Sequence, residues 1–183
     1  MKIGVKNSHS GGKANKSFRY GPTNRRWEPI VGDWNRDGKD TVGLYDPSSG
    51  TFFLRDDNSG GGATYRFRFG PVDPTNLIPL AGDWNNNKQD TVGLDDQRRG
   101  IFYLKKSHSG GKADKSFRYG PANANWEPVV GDWDGDGDDT AGLYDQSRGI
   151  FYLKNTHSGG KSDLSFRYGP VRQFWWPLAG KWK

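Results

Sequence analysis

Short runs of β-branched and aromatic residues alternate along the chain with clusters of Gly, Asn, Asp and Pro. In one representative stretch the runs cover about residues 127–133, 140–144, 150–154 and 164–168. Runs of this length bounded by turn-forming residues are typical of β-strands, and no amphipathic helical period fits the chain. The pattern predicts an all-β protein built from four-stranded antiparallel meanders.

The same four runs return with a period of 49 or 50 residues. The segment 18–22 matches 67–71, 117–121 and 166–170, and Gly32-Asp33-Trp34 returns at 82–84 and 131–133. A period of roughly 40 to 50 residues with four strands is typical of propeller blades, because one small sheet cannot bury its apolar face without a neighbour. We therefore expect a β-propeller-like tandem repeat.

The repeat predicts one domain with three full blades and a split fourth. We expect a partial blade over 1–26, blades over 27–76, 77–125 and 126–174, and a closing strand over 175–183. The terminal pieces supply three strands of a blade and lack the second. A four-bladed ring within one chain, a larger ring made by two chains, and an open arc of a longer protein are the alternatives. Exposed terminal strand edges favour self-association to complete a ring.

An acidic loop follows the first strand of each repeat. In the third copy, residues 132–139, carboxylates occupy alternate positions and two glycines permit sharp turns. Alternate side chains of a tight loop converge on one centre, and charged oxygen ligands favour Ca²⁺. The loop is not an EF-hand, because its twelfth position is Leu143 instead of Glu. The alternative is that these Asp and Asn residues only form Asx turns.

This loop and the Thr-x-Gly-Leu-Tyr-Asp strand after it resemble the FG-GAP or VCBS-type repeats of integrin α-chain propellers and bacterial surface proteins. The resemblance covers nearly the whole chain and is carried by residues 131–137 and 32–38. It implies an extracellular or cell-surface location and Ca²⁺ sites in the loops. The implied ligands are Asp132, Asp134, Asp136 and Asp139 in one loop, and Asp33, Asn35, Asp37 and Asp40 in another. The chain departs from the family at Thr41, Thr91 and Thr140, where the usual last carboxylate is missing.

The loop copies differ in ligand charge. Loop three (132–139) has five carboxylates, loop one (33–40) has three beside two basic residues, and loop two (83–90) keeps two. Because ligand charge sets the strength of Ca²⁺ binding, we expect affinity to fall in that order. The full candidate metal set is Asp132, Asp134, Asp136, Asp138 and Asp139 in loop three, and Asp33, Asn35, Asp37, Lys39 and Asp40 in loop one.

Three further sets of residues recur at equivalent positions and are candidates for ligand binding. They are the turn histidines His9, His108 and His157, the strand arginines Arg19, Arg118 and Arg167, and the tryptophans Trp27, Trp126 and Trp175 that precede a proline. Loops carry binding residues, and flat aromatic faces can stack on sugar rings. The alternatives are turn packing for the histidines, surface ion pairs for the arginines and filling of the gaps between blades for the tryptophans.

Charge and composition narrow the partners. The net charge is +6, but Lys and Arg are dispersed among 21 acidic residues, which argues against a nucleic-acid partner. The first six residues contain no apolar stretch long enough for a signal peptide, and no segment is expected to insert into a membrane.

Repetition itself indicates the function class. A catalytic site needs different residues meeting once, whereas nearly every polar feature here recurs. We expect no enzyme activity and no cofactor besides Ca²⁺. The chain is interpreted as a non-catalytic module that binds carbohydrate or another extracellular polymer, because repeated weak sites give avidity. The alternatives are a structural or adhesion segment and a fragment of a polysaccharide-cleaving enzyme.

Overall fold

The computed structural model describes residues 1–6, 8, 11–70, 77–169 and 176–180. These residues form fourteen β-strands and no helix, which confirms the prediction of an all-β protein. The strands are β1 (Lys2–Val5), β2 (Lys16–Arg19), β3 (Glu28–Gly32), β4 (Thr41–Asp46), β5 (Thr51–Leu54), β6 (Tyr65–Arg68), β7 (Leu77–Gly82), β8 (Thr91–Asp96), β9 (Ile101–Leu104), β10 (Lys115–Arg118), β11 (Glu127–Gly131), β12 (Thr140–Asp145), β13 (Ile150–Leu153) and β14 (Leu164–Arg167). Within these residues, no helix capable of crossing a membrane is found.

The strands form four antiparallel sheets in chain order. β1 and β2 form a two-stranded hairpin, β3 to β6 form sheet 1, β7 to β10 form sheet 2, and β11 to β14 form sheet 3. Each four-stranded sheet is a meander in which every strand pairs with the next along the chain. The expected four strands per repeat are therefore present in three consecutive copies.

The pairing register of the first and second strands is the same from sheet to sheet, and a glycine occupies the same position of the second strand in each. Gly142 lies opposite Val129 in sheet 3, as Gly43 lies opposite Ile30 in sheet 1. A Cβ added to Gly142 would fall 2.7 Å from the side chain of Val129 and 2.6 Å from that of Leu153. Only glycine lets the apolar side chains of the flanking strands meet over this position.

The apolar core lies at the junctions between consecutive sheets. Three buried clusters join the hairpin to sheet 1, sheet 1 to sheet 2, and sheet 2 to sheet 3. They include Tyr20 with Val42 and Leu44, Phe52 and Phe69 with Val92 and Leu94, and Phe102 and Tyr119 with Ala141 and Leu143. Aromatic side chains bury large areas, so they compensate for the modest aliphatic content of the chain.

The first strands of the sheets are neighbours: β3 contacts β7, and β7 contacts β11. The sheets therefore follow one another side by side in chain order. Residues 176–180, within the segment expected to supply a closing strand, form no strand. Residues 175 and 181–183 of that segment lie outside the described residues.

Candidate functional site

Loop three brings three carboxylates together. One oxygen from each of Asp132, Asp134 and Asp136 lies within 4.8 Å of the others. The loop folds this way because the Asp132 carboxylate accepts hydrogen bonds from the N–H groups of Gly135 and Gly137, at 2.7 and 3.2 Å. Both glycines have positive φ angles, which side chains rarely allow. This cluster of oxygen ligands is able in principle to hold a metal ion.

Asp138 faces a histidine in addition to its acidic neighbours. Its Oδ2 lies 3.2 Å from Nε2 of His157. Burial, together with the nearby Asp136 carboxylate, raises the pKa of Asp138 to about 6, and burial lowers the pKa of His157. An ion pair between the two side chains would lower the pKa of Asp138 and raise that of His157, which is the reverse of both shifts. The His157 imidazole is therefore uncharged at neutral pH, and its contact with Asp138 is a hydrogen bond.

Loop one is held by its own hydrogen bonds. Asp33 accepts from the N–H groups of Asp37 and Gly38, at 3.1 and 2.7 Å, and Asn35 accepts from Asp37 at 3.2 Å. The Lys39 ammonium lies 3.8 Å from the Asp37 carboxylate. Within the described part of the chain, only loop three gathers three His, Cys, Asp or Glu side chains at metal-binding distance.

The last carboxylate of a loop links two sheets. Asp139 accepts a hydrogen bond from the Asp83 N–H at 2.9 Å, and its own N–H donates to the Asp83 carbonyl at 2.7 Å. Asp90 and Asp33 form the same pair, at 2.8 and 2.9 Å. We call each pair an inter-sheet latch. Asp40 occupies the equivalent position in sheet 1, and its side chain is exposed.

The latch carboxylates line an acidic cavity of about 500 Å³ together with Asp132. Burial raises the pKa of Asp90 to about 6, and repulsion from Asp139 and Asp40 adds to this effect. The candidate metal residues Asp40 and Asp139 therefore lie in this cavity and do not belong to the three-carboxylate cluster of loop three, which contributes Asp132 to the cavity lining.

The histidines lie within sheet junctions. Nε2 of His108 is 2.9 Å from the Trp34 carbonyl oxygen of the preceding sheet, and Nε2 of His157 is 3.0 Å from that of Trp84. Because a carbonyl only accepts, Nε2 of each imidazole carries the proton. His108 also packs on Tyr65, with ring centroids 4.4 Å apart. His9 lies outside the described residues.

Two equivalent cavities lie at successive junctions between sheets. The sheet 1–2 cavity, about 660 Å³, is lined by Arg68, Phe69, Gly70, Tyr103, Lys112 and Ser116, among others. The sheet 2–3 cavity, about 480 Å³, is lined by Tyr119, Gly120, Trp126, Tyr152, Lys161 and Ser165, among others. Apart from Arg68 and Trp126, these residues are repeat equivalents. Each cavity combines a half-buried tyrosine with an exposed lysine and an exposed serine.

The equivalent position between the hairpin and sheet 1 has a different lining. Phe53 replaces the tyrosine, Trp27 stacks on it with ring centroids 4.4 Å apart, and the Arg66 guanidinium lies 5.4 Å from its centroid. Gly62 and Arg66 stand where the two cavities have lysine and serine. The two cavities therefore differ from this junction in polar lining.

The predicted tryptophans and arginines fall into these junctions only in part. Trp126 lines the sheet 2–3 cavity and stacks on Tyr152 with centroids 4.9 Å apart. Arg68, the residue of sheet 1 equivalent to this set, lines the sheet 1–2 cavity. Arg19, Arg118 and Arg167 are exposed strand residues that line neither cavity. Trp175 lies outside the described residues.

The sequence reasoning missed the residues that define the two cavities. By pattern alone Tyr103 and Tyr152 are strand residues, and Lys112 and Lys161 belong to a turn. The signal that could have found them is their recurrence in two copies combined with their loss in the first, where the chain has Phe53 and Gly62. An aromatic residue that alternates between Phe and Tyr marks a position where the hydroxyl is tolerated or used.

No protein-family model, curated protein or solved structure matches this chain.

Proposed function

We propose that this chain is a non-catalytic carbohydrate-binding module whose binding sites are the sheet 1–2 and sheet 2–3 cavities. The observation that carries the proposal is the recurrence of one cavity, with the same tyrosine, lysine and serine, at two successive junctions. Two equivalent sites explain why the sequence repeats its polar residues. They also convert weak single contacts into avidity for a polymer that presents the same sugar many times.

The chemistry of the cavity lining suits a sugar. The apolar face of a pyranose packs on an aromatic ring, and its hydroxyls need hydrogen-bond donors and acceptors around the rim. Tyr103 and Tyr152 supply the ring, while Lys112 with Ser116 and Lys161 with Ser165 supply the polar groups. The Tyr119 hydroxyl is buried and has no hydrogen-bond partner among the residues that the structure describes. A ligand hydroxyl in the sheet 2–3 cavity would be a suitable partner for it.

We assign the sheets to the blades of a β-propeller of the FG-GAP or VCBS type. Three four-stranded antiparallel meanders with neighbouring first strands support this assignment, as does the loop motif of residues 131–137. The extracellular or cell-surface location implied by that resemblance agrees with a glycan ligand.

Loop three is proposed as a Ca²⁺ site formed by Asp132, Asp134 and Asp136. Their oxygens converge, and hard carboxylate oxygens on a glycine-rich loop suit a large divalent cation. The ion would stabilise the loop next to the sheet 2–3 junction. It would not contact the sugar, because these residues do not line either junction cavity.

The test is a glycan array followed by titration calorimetry with the best oligosaccharide. Tyr103→Ala and Tyr152→Ala should each weaken binding about tenfold, and the double variant should abolish avidity for the polymer. Trp176→Ala is the matched control, because Trp176 is an exposed aromatic residue that lines neither cavity. Absence of binding to every glycan on the array, or binding that survives the double variant, would reject the proposal. Release of shortened oligosaccharides would instead indicate an enzyme.

A further inference from the structure

The end of sheet 3 exposes an apolar row of three residues, and the equivalents of two of them are buried in sheets 1 and 2. Leu164 and Phe166 occupy alternate positions of β14 and Tyr168 follows the strand directly, so their side chains project from the same side of the sheet. Phe166 is 43% exposed, whereas its equivalents Phe67 and Phe117 are each 9% exposed. Tyr168 is 72% exposed, compared with 4% for Tyr119.

The structure contains the contact that covers this row at the other junctions. Phe67 and Phe117 each stack on a phenylalanine of their own sheet and contact the ring of a histidine of the following sheet. Phe166 stacks on Phe151 of its own sheet, with centroids 5.4 Å apart, and no following sheet supplies a ring among the described residues. The uncovered side of Phe166 is thus the side that a following sheet would occupy.

A glycine loop forms the other half of each junction. Cβ atoms added to Gly60, Gly110 and Gly159 would fall 2.9, 2.8 and 2.5 Å from the carbonyl oxygens of Arg19, Arg68 and Arg118. In the sheet 1–2 junction the adjacent Gly111 N–H also donates to the Arg68 carbonyl at 3.2 Å. The loop therefore approaches the end of the preceding fourth strand as closely as a backbone without side chains allows.

The hairpin carries the same loop, but among the described residues no strand end lies against it. Gly11 is the repeat equivalent of Gly60, Gly110 and Gly159, and a Cβ added to Gly11 would have no described atom within 4 Å. The molecule thus exposes both surfaces that meet in its repeating junction. The apolar residues of β14 lie at one end of the series of sheets, and the Gly11 loop lies at the other end. Because both belong to one molecule and both are exposed, they do not cover one another.

We propose that a second copy of this chain docks its Gly11 loop on the β14 face, extending the series of sheet junctions from one molecule into the next. The contact is head-to-tail, since two different surfaces meet. Such a contact closes into a ring when the rotation between copies allows it and otherwise continues as an open assembly. A second copy fits this face because three junctions within the chain already join these same two surfaces.

Sedimentation equilibrium over a range of concentrations tests the proposal. The mass of the unaltered chain should rise with concentration from 20.5 kDa to at least twice that value. Phe166→Asp should remain at the mass of one chain, with an unchanged circular dichroism spectrum. Gly11→Leu should do the same from the opposite surface. The matched variants Phe117→Asp and Gly110→Leu change the equivalent positions inside existing junctions, where Phe117 is 9% exposed and a Cβ at Gly110 would fall 2.8 Å from the Arg68 carbonyl oxygen, and should instead lose the folded signal.

An equimolar mixture of Phe166→Asp and Gly11→Leu separates a head-to-tail contact from a symmetric one. Each variant keeps one intact surface, so the mixture should recover a species of two chains and stop there. A single-chain mass for the unaltered protein at every concentration would overturn the proposal. Association that survives Phe166→Asp, or a mixture that fails to recover the two-chain species, would overturn it as well.

Discussion

The carboxylate of Asp139 accepts a hydrogen bond from the backbone N–H of Asp83 at 2.9 Å, across the junction between sheet 2 and sheet 3. The two residues are 56 positions apart. Asp139 returns a backbone hydrogen bond to the Asp83 carbonyl, and Asp90 with Asp33 repeats the arrangement one sheet earlier. The latches therefore tie loop one to sheet 2, and loop two to sheet 3.

Asp139→Ala should therefore destabilise the fold by about 1–3 kcal/mol, because a partly buried N–H group loses its acceptor. Urea unfolding followed by circular dichroism measures this change. Asp40→Ala is the matched control, since this equivalent carboxylate is exposed, and it should cost less than about 0.5 kcal/mol. Equal losses in the two variants would show that the latch contributes nothing specific.

Asp95 should make stability depend on pH. It is buried where sheets 1 and 3 have Tyr45 and Tyr144, and burial, with repulsion from Asp96 and Glu127, raises its pKa to about 8. The folded chain therefore holds a proton that the unfolded chain releases near pH 4. Stability from this group is present at low pH and is lost as pH rises from about 4 to 8.

Asp95→Asn should raise the melting temperature at pH 8 and change it little at pH 4. The gain at pH 8 should reach several kcal/mol, because each unit of pKa shift corresponds to about 1.4 kcal/mol. Calorimetric melts at both values measure the difference. A gain that is the same at both values would contradict the raised pKa, because an uncharged amide mimics only the protonated carboxyl.

Ca²⁺ should stabilise the protein through loop three. At a concentration one hundred times the dissociation constant, one bound ion adds about 2.7 kcal/mol. The variant with both Asp134→Ala and Asp136→Ala should lose this gain in Ca²⁺ and melt like the unaltered chain in chelator. Asp37→Ala in loop one is the control and should retain the gain. Equal shifts of the double variant in Ca²⁺ and in chelator would falsify the metal site.

His108→Asn should weaken the junction between sheets 1 and 2. The Nε2 proton of His108 is donated to the Trp34 carbonyl, and its ring packs on Tyr65. We expect a loss of about 1–2 kcal/mol, with glycan binding by the folded protein unchanged. Thermal melts and calorimetric titration measure the two effects. Loss of binding without loss of stability would instead place His108 in a ligand site.

The strands and turns could be predicted from the sequence because the same pattern of apolar and turn-forming residues recurs in every repeat. The runs expected at 127–133, 140–144, 150–154 and 164–168 differ by no more than two residues at either end from β11 to β14. Alternation of apolar residues with Gly and Asp turns marks strands reliably when the copies agree. The segment 176–180 copies the first-strand motif but lies outside any strand, because motif alone does not supply the second strand with which it would pair.

The candidate site was less accessible to sequence reasoning. Alternation within loop three did indicate that Asp132, Asp134 and Asp136 converge. It could not separate Asp139, whose partner Asp83 belongs to another sheet. The two junction cavities are likewise formed by residues from different repeats, such as Phe69 and Tyr103. Contacts between repeats depend on how sheets are placed, and a pattern within one repeat does not contain that information.

Each inter-sheet latch joins a residue to a loop made earlier in the chain. Asp90 binds the loop after β3, and Asp139 binds the loop after β7. During synthesis every new sheet therefore emerges next to a finished one that already presents its docking groups. The protein is suited to assembly from its amino terminus on the ribosome, one unit at a time, without waiting for distant segments.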